Sequence, residues 1–302
     1  MKKAFICGAA GTTGLELRYR LMGMQEIEMV ELPYEDRRDE DAIAAAMAES
    51  DVTFLCLPDD AARSIAAMAP ENTVVIDTST AHRVSDGWVY GFAELSPEQK
   101  KAIAGAKRIA NPGCHATGFI ALTAPLTAAG MLPKATRLTS YSITGYSGGG
   151  KKMIAEYESN ERPLTMDAPR HYALSLKHKH LPEMKKYSGL DHAPLFEPIV
   201  SSFYRGMAVT VPLFSHQLGG ATWEDVYEAL EKHYAGSKLI TVGPALEDGF
   251  LPSNMLMGQD NLHICVRGSG DQISMTAVFD NLGKGASGAA VQNMCLALGL
   301  EE

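Results

Sequence analysis

Positive charge is in short supply: 27 Lys and Arg against 36 Asp and Glu leave a formal net charge of −9 over 302 residues. Neutralising nucleic-acid phosphates requires a basic face, so no nucleic-acid partner is expected. Long apolar runs are missing as well, and nothing approaches the ~18 consecutive apolar residues of a membrane helix. The N-terminal MKKAFICGAAG has only a short apolar stretch that runs straight into glycines, and it reads as a first strand, not a signal peptide. No membrane partner and a cytoplasmic location are therefore expected. Cysteine is sparse, with Cys7, Cys56, Cys114, Cys265 and Cys295 widely spaced and no C-x-x-C. An odd, scattered set supports neither a disulfide framework nor a zinc site, and no metal is expected. No internal repeat or low-complexity tract is present.

What is there is a 46% hydrophobic chain, long enough for two domains. KAFIC, EIEMVEL, VTFLCLP and TVVIDTS are short apolar runs, and helical segments GTTGLELRYRLMG, AIAAAMAES and DDAARSIAAMA lie between them. Strands alternating with helices of this length predict an α/β, doubly wound parallel sheet of Rossmann type. The rhythm changes near residue 112. RLTSYSITGYS, PIVSSFYRGMAVTVPLF and HICVRGSGDQISMTAVF are long, β-branched and often alternating, which predicts an α+β domain with a mostly antiparallel sheet. KGASGAAVQNMCLALGL returns to helical spacing, with Val291, Met294, Cys295 and Leu298 on one stripe. The expected domains are 1–112, completed by a C-terminal helix over 282–302, and 113–281.

Gly8, Gly11 and Gly14 spell G-x-x-G-x-x-G where the first strand meets the first helix, with Thr12 and Thr13 inside the motif. Glycine lets the backbone approach a pyrophosphate, and the amides and dipole of the helix start attract its charge. A dinucleotide site is the expectation. Glu31, near the end of the second strand, suits a free ribose 2′-hydroxyl and hence NAD, whereas Arg37 and Arg38 suit the 2′-phosphate of NADP. NADP is preferred; a solvated charge cluster is the alternative for the two arginines.

In NPGCHATG, Asn111 and Pro112 make a turn before an apolar helix, so Cys114 falls at or just before a helix N-terminus. Partial positive charge there favours thiolate, the attacking form. A free cysteine is also ordinary packing material, and both readings stand on this loop alone. Cys7, Cys56, Cys265 and Cys295 lie in strand runs or on the last helix stripe and read as core.

The densest basic stretch, LKHKHLPEM, holds Lys177, His178, Lys179, His180 and Glu183. Histidine has the near-neutral pKa that proton transfer to or from a thiolate needs. Arg83, at the end of the fourth strand run in TSTAHR, is placed to hold a substrate carboxylate or phosphate, or is a plain surface arginine. A rival motif is Gly145 to Gly149, G-x-S-x-G, the nucleophile elbow of serine hydrolases with Ser147 as nucleophile. The elbow belongs inside a parallel α/β sheet, so Ser147 and Gly148 read instead as a substrate or phosphate loop.

GAAGTTG, FLCLPDDAA, IDTSTAHR, VYGFAEL, NPGCHATG, GYSGGGKK, KHKHLPE and DNLGKGASGAAVQN, in this order and spacing, resemble the shorter-chain N-acetyl-γ-glutamyl-phosphate reductases, of the aspartate-semialdehyde dehydrogenase-like superfamily. Aspartate-semialdehyde dehydrogenase is similar in layout, but KHKHLPE favours the reductase. The resemblance implies NADPH-dependent reduction of an acyl phosphate through a cysteine thioester, in arginine biosynthesis. It implies NADP(H) as cofactor, a small-molecule acyl-phosphate substrate with inorganic phosphate, and a homo-oligomer, dimer or tetramer. Cys114 matches the family nucleophile and His178 the base, with His180 the fallback. Asn281, Lys284 and Gly285 fall in the segment that returns to the cofactor, while Arg83, Ser147, Gly148, His180 and Glu183 are the substrate-binding candidates. Position 115 is His, a residue that some relatives replace, so its role stays open. Other acyl-phosphate reductases, a serine hydrolase and a non-catalytic dinucleotide sensor remain as alternatives.

Overall fold

The computed structural model describes residues 1–244 and 249–301. Two compact units emerge, Met1–Gly113 with Ala286–Glu302, and Cys114–Gly285. The first unit contains β1 (Lys2–Cys7), α1 (Thr12–Met22), β2 (Ile27–Val30), α2 (Glu40–Glu49), β3 (Val52–Leu55), α3 (Asp59–Met68), β4 (Val74–Asp77), β5 (Val89–Tyr90), α4 (Pro97–Ala104) and β6 (Arg108–Ala110). Its strands pair in parallel in the order β2-β1-β3-β4-β6-β5. The expected doubly wound sheet is present.

Alternation along each strand explains why both faces of this sheet are covered. Ala4, Ile6, Phe54 and Ile76 enter one apolar cluster, and Phe5, Cys7, Leu55 and Val75 enter another. Local signals fix the helix starts. Asp39 caps α2 by accepting from Asp41 N and Ala42 N at 2.9 and 3.0 Å, and Ser96 caps α4 by accepting from Gln99 N at 3.1 Å, ahead of Pro97.

The second unit begins with α5 (Cys114–Ala128) and continues through β7 (Thr139–Gly145), α6 (Gly150–Glu158), β8 (Arg170–His171), α7 (Leu181–Ser188), β9 (Leu195–Ser201), β10 (Met207–Phe214), α8 (Trp223–Tyr234), β11 (Ile240–Gly243), β12 (Leu262–Ser269) and β13 (Gln272–Phe279). The sheet order is β11-β12-β13-β10-β7-β9-β8. Pairings β7–β9 and β11–β12 are parallel and the other four antiparallel, so the sheet is mixed but mostly antiparallel. The long run 198–214 supplies the end of β9 and all of β10, and 262–279 folds into a hairpin over Gly270, whose φ is +60°.

The chain ends in α9 (Gly288–Leu298), preceded by a π-helical turn at Gly283–Ser287. The helix is shorter than the expected 282–302; residue 302 lies outside the described residues, and 282–285 stay with the second unit. Asp280 sets this start: its carboxylate accepts from Leu282 N at 2.8 Å and its carbonyl from Gly285 N at 3.0 Å, five residues on, so the segment winds as a π-helical turn before regular α-helix begins. Met294 and Cys295 of α9 pack into the first unit's core, with Val291 and Leu298 against it. Among the described residues no helix is long and apolar enough to cross a membrane.

Candidate active site

Cys114 is the first residue of α5. His115 through Thr123 are all buried, and Cys114 alone in that stretch reaches the surface. The helix is held because it is apolar on every side, and its start is pressed against Gly285. A Cβ at Gly285 would lie 2.9 Å from the Cys114 Cβ, so only glycine fits.

Around Cys114 the second unit gathers a polar cluster. His115, 3% exposed, places Nδ1 2.8 Å from Ser142 Oγ and Nε2 2.6 Å from the Tyr172 hydroxyl. Burial, reinforced by His178 and Lys179, pushes the His115 imidazole down to about 3, so it is neutral at working pH. The Tyr172 phenol is driven above its ordinary range, first by burial and then by the negative charge of Cys114. The rings of His178 and His180 lie 5.3 and 5.5 Å from that of His115 and 4.6 Å from each other. His178 is half-buried, whereas His180 and Glu183 are buried. His178 Nδ1 accepts from the backbone N–H of His180 at 3.2 Å.

Ser147 is buried on a 3-10 turn, Tyr146–Gly149, and accepts from Asn281 Nδ2 at 2.9 Å. Asn281 Oδ1 accepts from Gly206 N at 2.7 Å, so this side chain locks two turns together. The hydrolase reading fails here: the serine is not presented at the surface, and among the described residues no histidine bonds to it. It also follows a strand flanked by one antiparallel neighbour, not the all-parallel setting of an elbow. Gly148 is exposed beside it, and Lys284 is buried. Arg205 Nε donates to Asp280 Oδ2 at 2.6 Å, anchoring the 280–285 segment from below.

In the first unit, Gly8 has φ +90°, and a Cβ there would sit 2.4 Å from the Cys56 carbonyl oxygen, so the turn after β1 requires glycine. Beside the loop is a cavity of about 840 Å³ lined by Gly8 to Gly11, Glu31, Arg37 and Arg38. It opens where β1 is flanked by β2 and β3, the strand-order switch at which doubly wound sheets bind ligands. Thr12 Oγ1 is buried with no hydrogen-bond partner among the described residues, Thr13 follows it in the first turn of α1, and Gly14 is buried. Glu31 is ion-paired to Arg18 at 2.7 Å, and the Arg37 guanidinium lies 3.5 Å over the Tyr34 ring. A nucleotide fits this lining of glycine backbone and guanidinium groups, with the orphaned Thr12 hydroxyl following the loop at the start of α1.

Arg83 is buried, not a surface arginine, and donates from Nε to the Asn111 carbonyl at 2.9 Å and from Nη2 to that of Thr78 at 3.1 Å. Beneath it Asp77 accepts from Ser79 Oγ at 2.8 Å and meets His82 Nδ1 at 2.6 Å, with His82 stacked 4.0 Å from Trp88. Asp77, Ser79 and His82 lie within IDTSTAHR, where the sequence singles out only Arg83 as a ligand-holding residue, and no motif signals Ser142. Tyr172 is marked only by its six-residue spacing from His178. Among the other cysteines, Cys7 and the partly buried Cys56 have thiols pushed up to about 11 and about 12 by burial, which keeps them protonated. Cys265 and Cys295 are buried.

Two family models match the chain, one described as semialdehyde dehydrogenase, NAD binding domain, over residues 3–103, and one as semialdehyde dehydrogenase, dimerisation domain, over 114–281. The class of protein is therefore that of the semialdehyde dehydrogenases. Solved structures agree in fold: aspartate semialdehyde dehydrogenase II of Vibrio cholerae, at 18% identity, superposes with a TM-score of 0.73 over 99% of this chain and 98% of that one. The aspartate semialdehyde dehydrogenase of Candida albicans, with NADP, is also 18% identical, with a TM-score of 0.71 over 98% of each chain. Curated relatives are much nearer in sequence. The N-acetyl-gamma-glutamyl-phosphate reductase of Sinorhizobium medicae is 46% identical over 98% of both chains, and that of Brucella ovis 44% identical over 98% of this chain and 99% of its own. The chain belongs to the N-acetyl-gamma-glutamyl-phosphate reductase family.

Proposed function

We propose that the protein reduces N-acetyl-γ-glutamyl phosphate to N-acetylglutamate semialdehyde and phosphate with NADPH, through a thioester on Cys114. The observation that carries this is Cys114 itself, the one accessible residue at the head of a buried helix, set among histidines and a phenol. The Cys114 thiolate attacks the acyl carbon, the bond to the phosphate oxygen breaks, and inorganic phosphate leaves. When bound, the nicotinamide supplies the hydride that reduces the thioester. The resulting oxyanion sits on carbon bonded to the Cys114 sulfur, at the start of α5, where helix amides stabilise negative charge. With Nδ1 already accepting from His180 N, His178 in its neutral form holds its proton at Nε2 and offers it to that oxyanion as a hydrogen bond. Collapse breaks the carbon–sulfur bond, frees the aldehyde and restores the thiolate.

Gly8, Gly11, Thr12, Thr13 and Gly14 are the proposed pyrophosphate cradle, with Arg37 and Arg38 selecting the 2′-phosphate of NADP over NAD, and Asn281, Lys284 and Gly285 supporting the cofactor side. The ion pair with Arg18 favours this choice, because it occupies the Glu31 carboxylate that a ribose hydroxyl would use. Arg83, Ser147, Gly148, His180 and Glu183 shape the substrate site; for Arg83, Ser147 and the buried His180 and Glu183 that role is indirect, through the loops they hold. The dimerisation description of the matched family model supports a homo-oligomer.

NADP reduction with N-acetylglutamate semialdehyde and phosphate tests the reading in the reverse direction. Cys114→Ser should abolish it, and near-normal turnover by that variant rules out the thioester. Aspartate semialdehyde run alongside separates the two family substrates, and NADP binding without turnover of either would favour a sensor.

A further inference from the structure

His115 occupies an unusual place: it follows the reactive cysteine, is almost wholly buried, and touches a hydroxyl with each ring nitrogen. A neutral imidazole has one donor and one acceptor nitrogen, so the two hydroxyls must play opposite roles. Ser142 decides which. It is fully buried on β7, and His115 Nδ1 is its one side-chain hydrogen-bond partner among the described residues. A buried hydroxyl hydrogen without an acceptor is strongly disfavoured, whereas an unused lone pair costs less. Ser142 therefore donates to Nδ1, the His115 proton resides on Nε2, and Nε2–H donates to the Tyr172 oxygen. The phenol's own hydrogen is then left for an acceptor other than His115.

That hydrogen has a natural destination. The Tyr172 hydroxyl lies 2.6 Å from the ring of the residue next to Cys114, its ring is 6.0 Å from that of His178, and burial, then the charge of Cys114, holds the phenol protonated. We propose that His115 is a positioning residue: fixed by Ser142 as its Nε2–H tautomer, it holds the Tyr172 hydroxyl with the proton turned toward the Cys114 sulfur and the oxyanion formed on it. This rests on Cys114 being the nucleophile. The opposite tautomer would strand the Ser142 hydrogen and turn the phenol proton onto His115, withdrawing it from the chemistry. Of the three buried hydroxyls on β7, Ser140 and Thr144 donate to the backbone carbonyls of Thr210 and Gly145, and Ser142 alone is given to His115.

The test uses the full chain with Ser142→Ala, Tyr172→Phe and the double variant, assayed as NADP reduction with N-acetylglutamate semialdehyde and phosphate. Loss of an oxyanion donor in Tyr172→Phe should lower kcat by roughly 100-fold, and loss of its alignment in Ser142→Ala by roughly 10-fold, with KM for the semialdehyde within about twofold. The double variant should be no slower than Tyr172→Phe alone, because Ser142 acts only through the phenol. Each single variant removes one buried hydrogen-bond partner of His115, so thermal midpoints should fall by several degrees while both variants stay folded at the assay temperature, and 15N NMR of histidine-labelled protein at pH 7 should show the His115 proton on Nε2. A proton on Nδ1, full kcat in Ser142→Ala, or losses that multiply in the double variant would overturn the proposal. Those results with an active wild type leave the Cys114 reaction intact; a wild type that turns over neither semialdehyde overturns both.

Discussion

Gly285→Ala concentrates the reasoning about the cysteine loop into one methyl group. The new Cβ would stand 2.9 Å from the Cys114 Cβ, 3.2 Å from the Asp280 carbonyl oxygen and 3.3 Å from Phe279 Cε2. Neither of the latter two can retreat: the carbonyl is fixed by hydrogen bonds from Gly283 N and Gly285 N, and Phe279 is fully buried. Carbon–carbon contacts settle near 3.5–4.0 Å, so Cys114 must give by roughly 0.6–1.1 Å. Misplacing a reacting atom by about 1 Å costs on the order of 100-fold in rate. Overpacking a tight site costs about 1–3 kcal/mol, which at about 2–4 °C per kcal/mol lowers the midpoint of a unit this size by roughly 2–12 °C. The expected outcome is a folded enzyme with kcat reduced by one to two orders of magnitude and slower alkylation of Cys114 by iodoacetamide. Wild-type kcat and alkylation rate, at an unchanged midpoint, would refute the packing argument.

Two further outcomes are expected. Replacing Arg37 and Arg38 together by Ala should raise KM for NADPH by about 10- to 100-fold, the worth of a charged hydrogen bond, while KM for NADH stays level; a parallel rise in both would show that the arginines do not read the 2′-phosphate. His115 titrates at about 3 in the folded chain, against about 6.5 when unfolded, so below pH 6.5 the unfolded chain takes up a proton that the folded chain refuses. The stability this confers is complete above that pH and drains away as pH falls toward 3, by about 1.4 kcal/mol per pH unit, or about 2 kcal/mol between pH 6.5 and 5. Urea unfolding at pH 7 and pH 5 should show that loss in wild type and a flatter response in His115→Phe; parallel losses would mean that His115 is not buried in its neutral form.

The parallel sheet could be read from sequence because β1, β3 and β4 are largely apolar and buried on both faces, as in Val52–Leu55, where all residues are buried. β5, β6 and β8 span 2 or 3 residues and carry no period, so nothing in the sequence marks them. The second sheet announced its five longer strands, not β8 or β11, and not their partners. β7 lies beside β9 and β10, with α6, β8 and α7 between them in the chain, and only tertiary packing selects such neighbours. β7 also reverses the usual rule: its alternation of Ser140, Ser142 and Thr144 with Tyr141 and Ile143 looks like a strand with its hydroxyls in water, yet those hydroxyls are buried and Tyr141 is exposed.

That reversal explains why the candidate site was only half visible. Cys114, His178 and the glycine loop sit in motifs whose spacing has a chemical reason, so each could be found alone. Ser142 and Tyr172 matter through a histidine that bonds to both, and no spacing relates residues that are 27 and 57 positions from it. Local patterning is violated where a buried polar chain is worth more to the site than an apolar contact. A strand that buries hydroxyls beneath a nucleophile's helix is therefore itself a signal. It would be readable wherever the helix supplies, next to its reactive residue, a side chain that needs a hydroxyl partner.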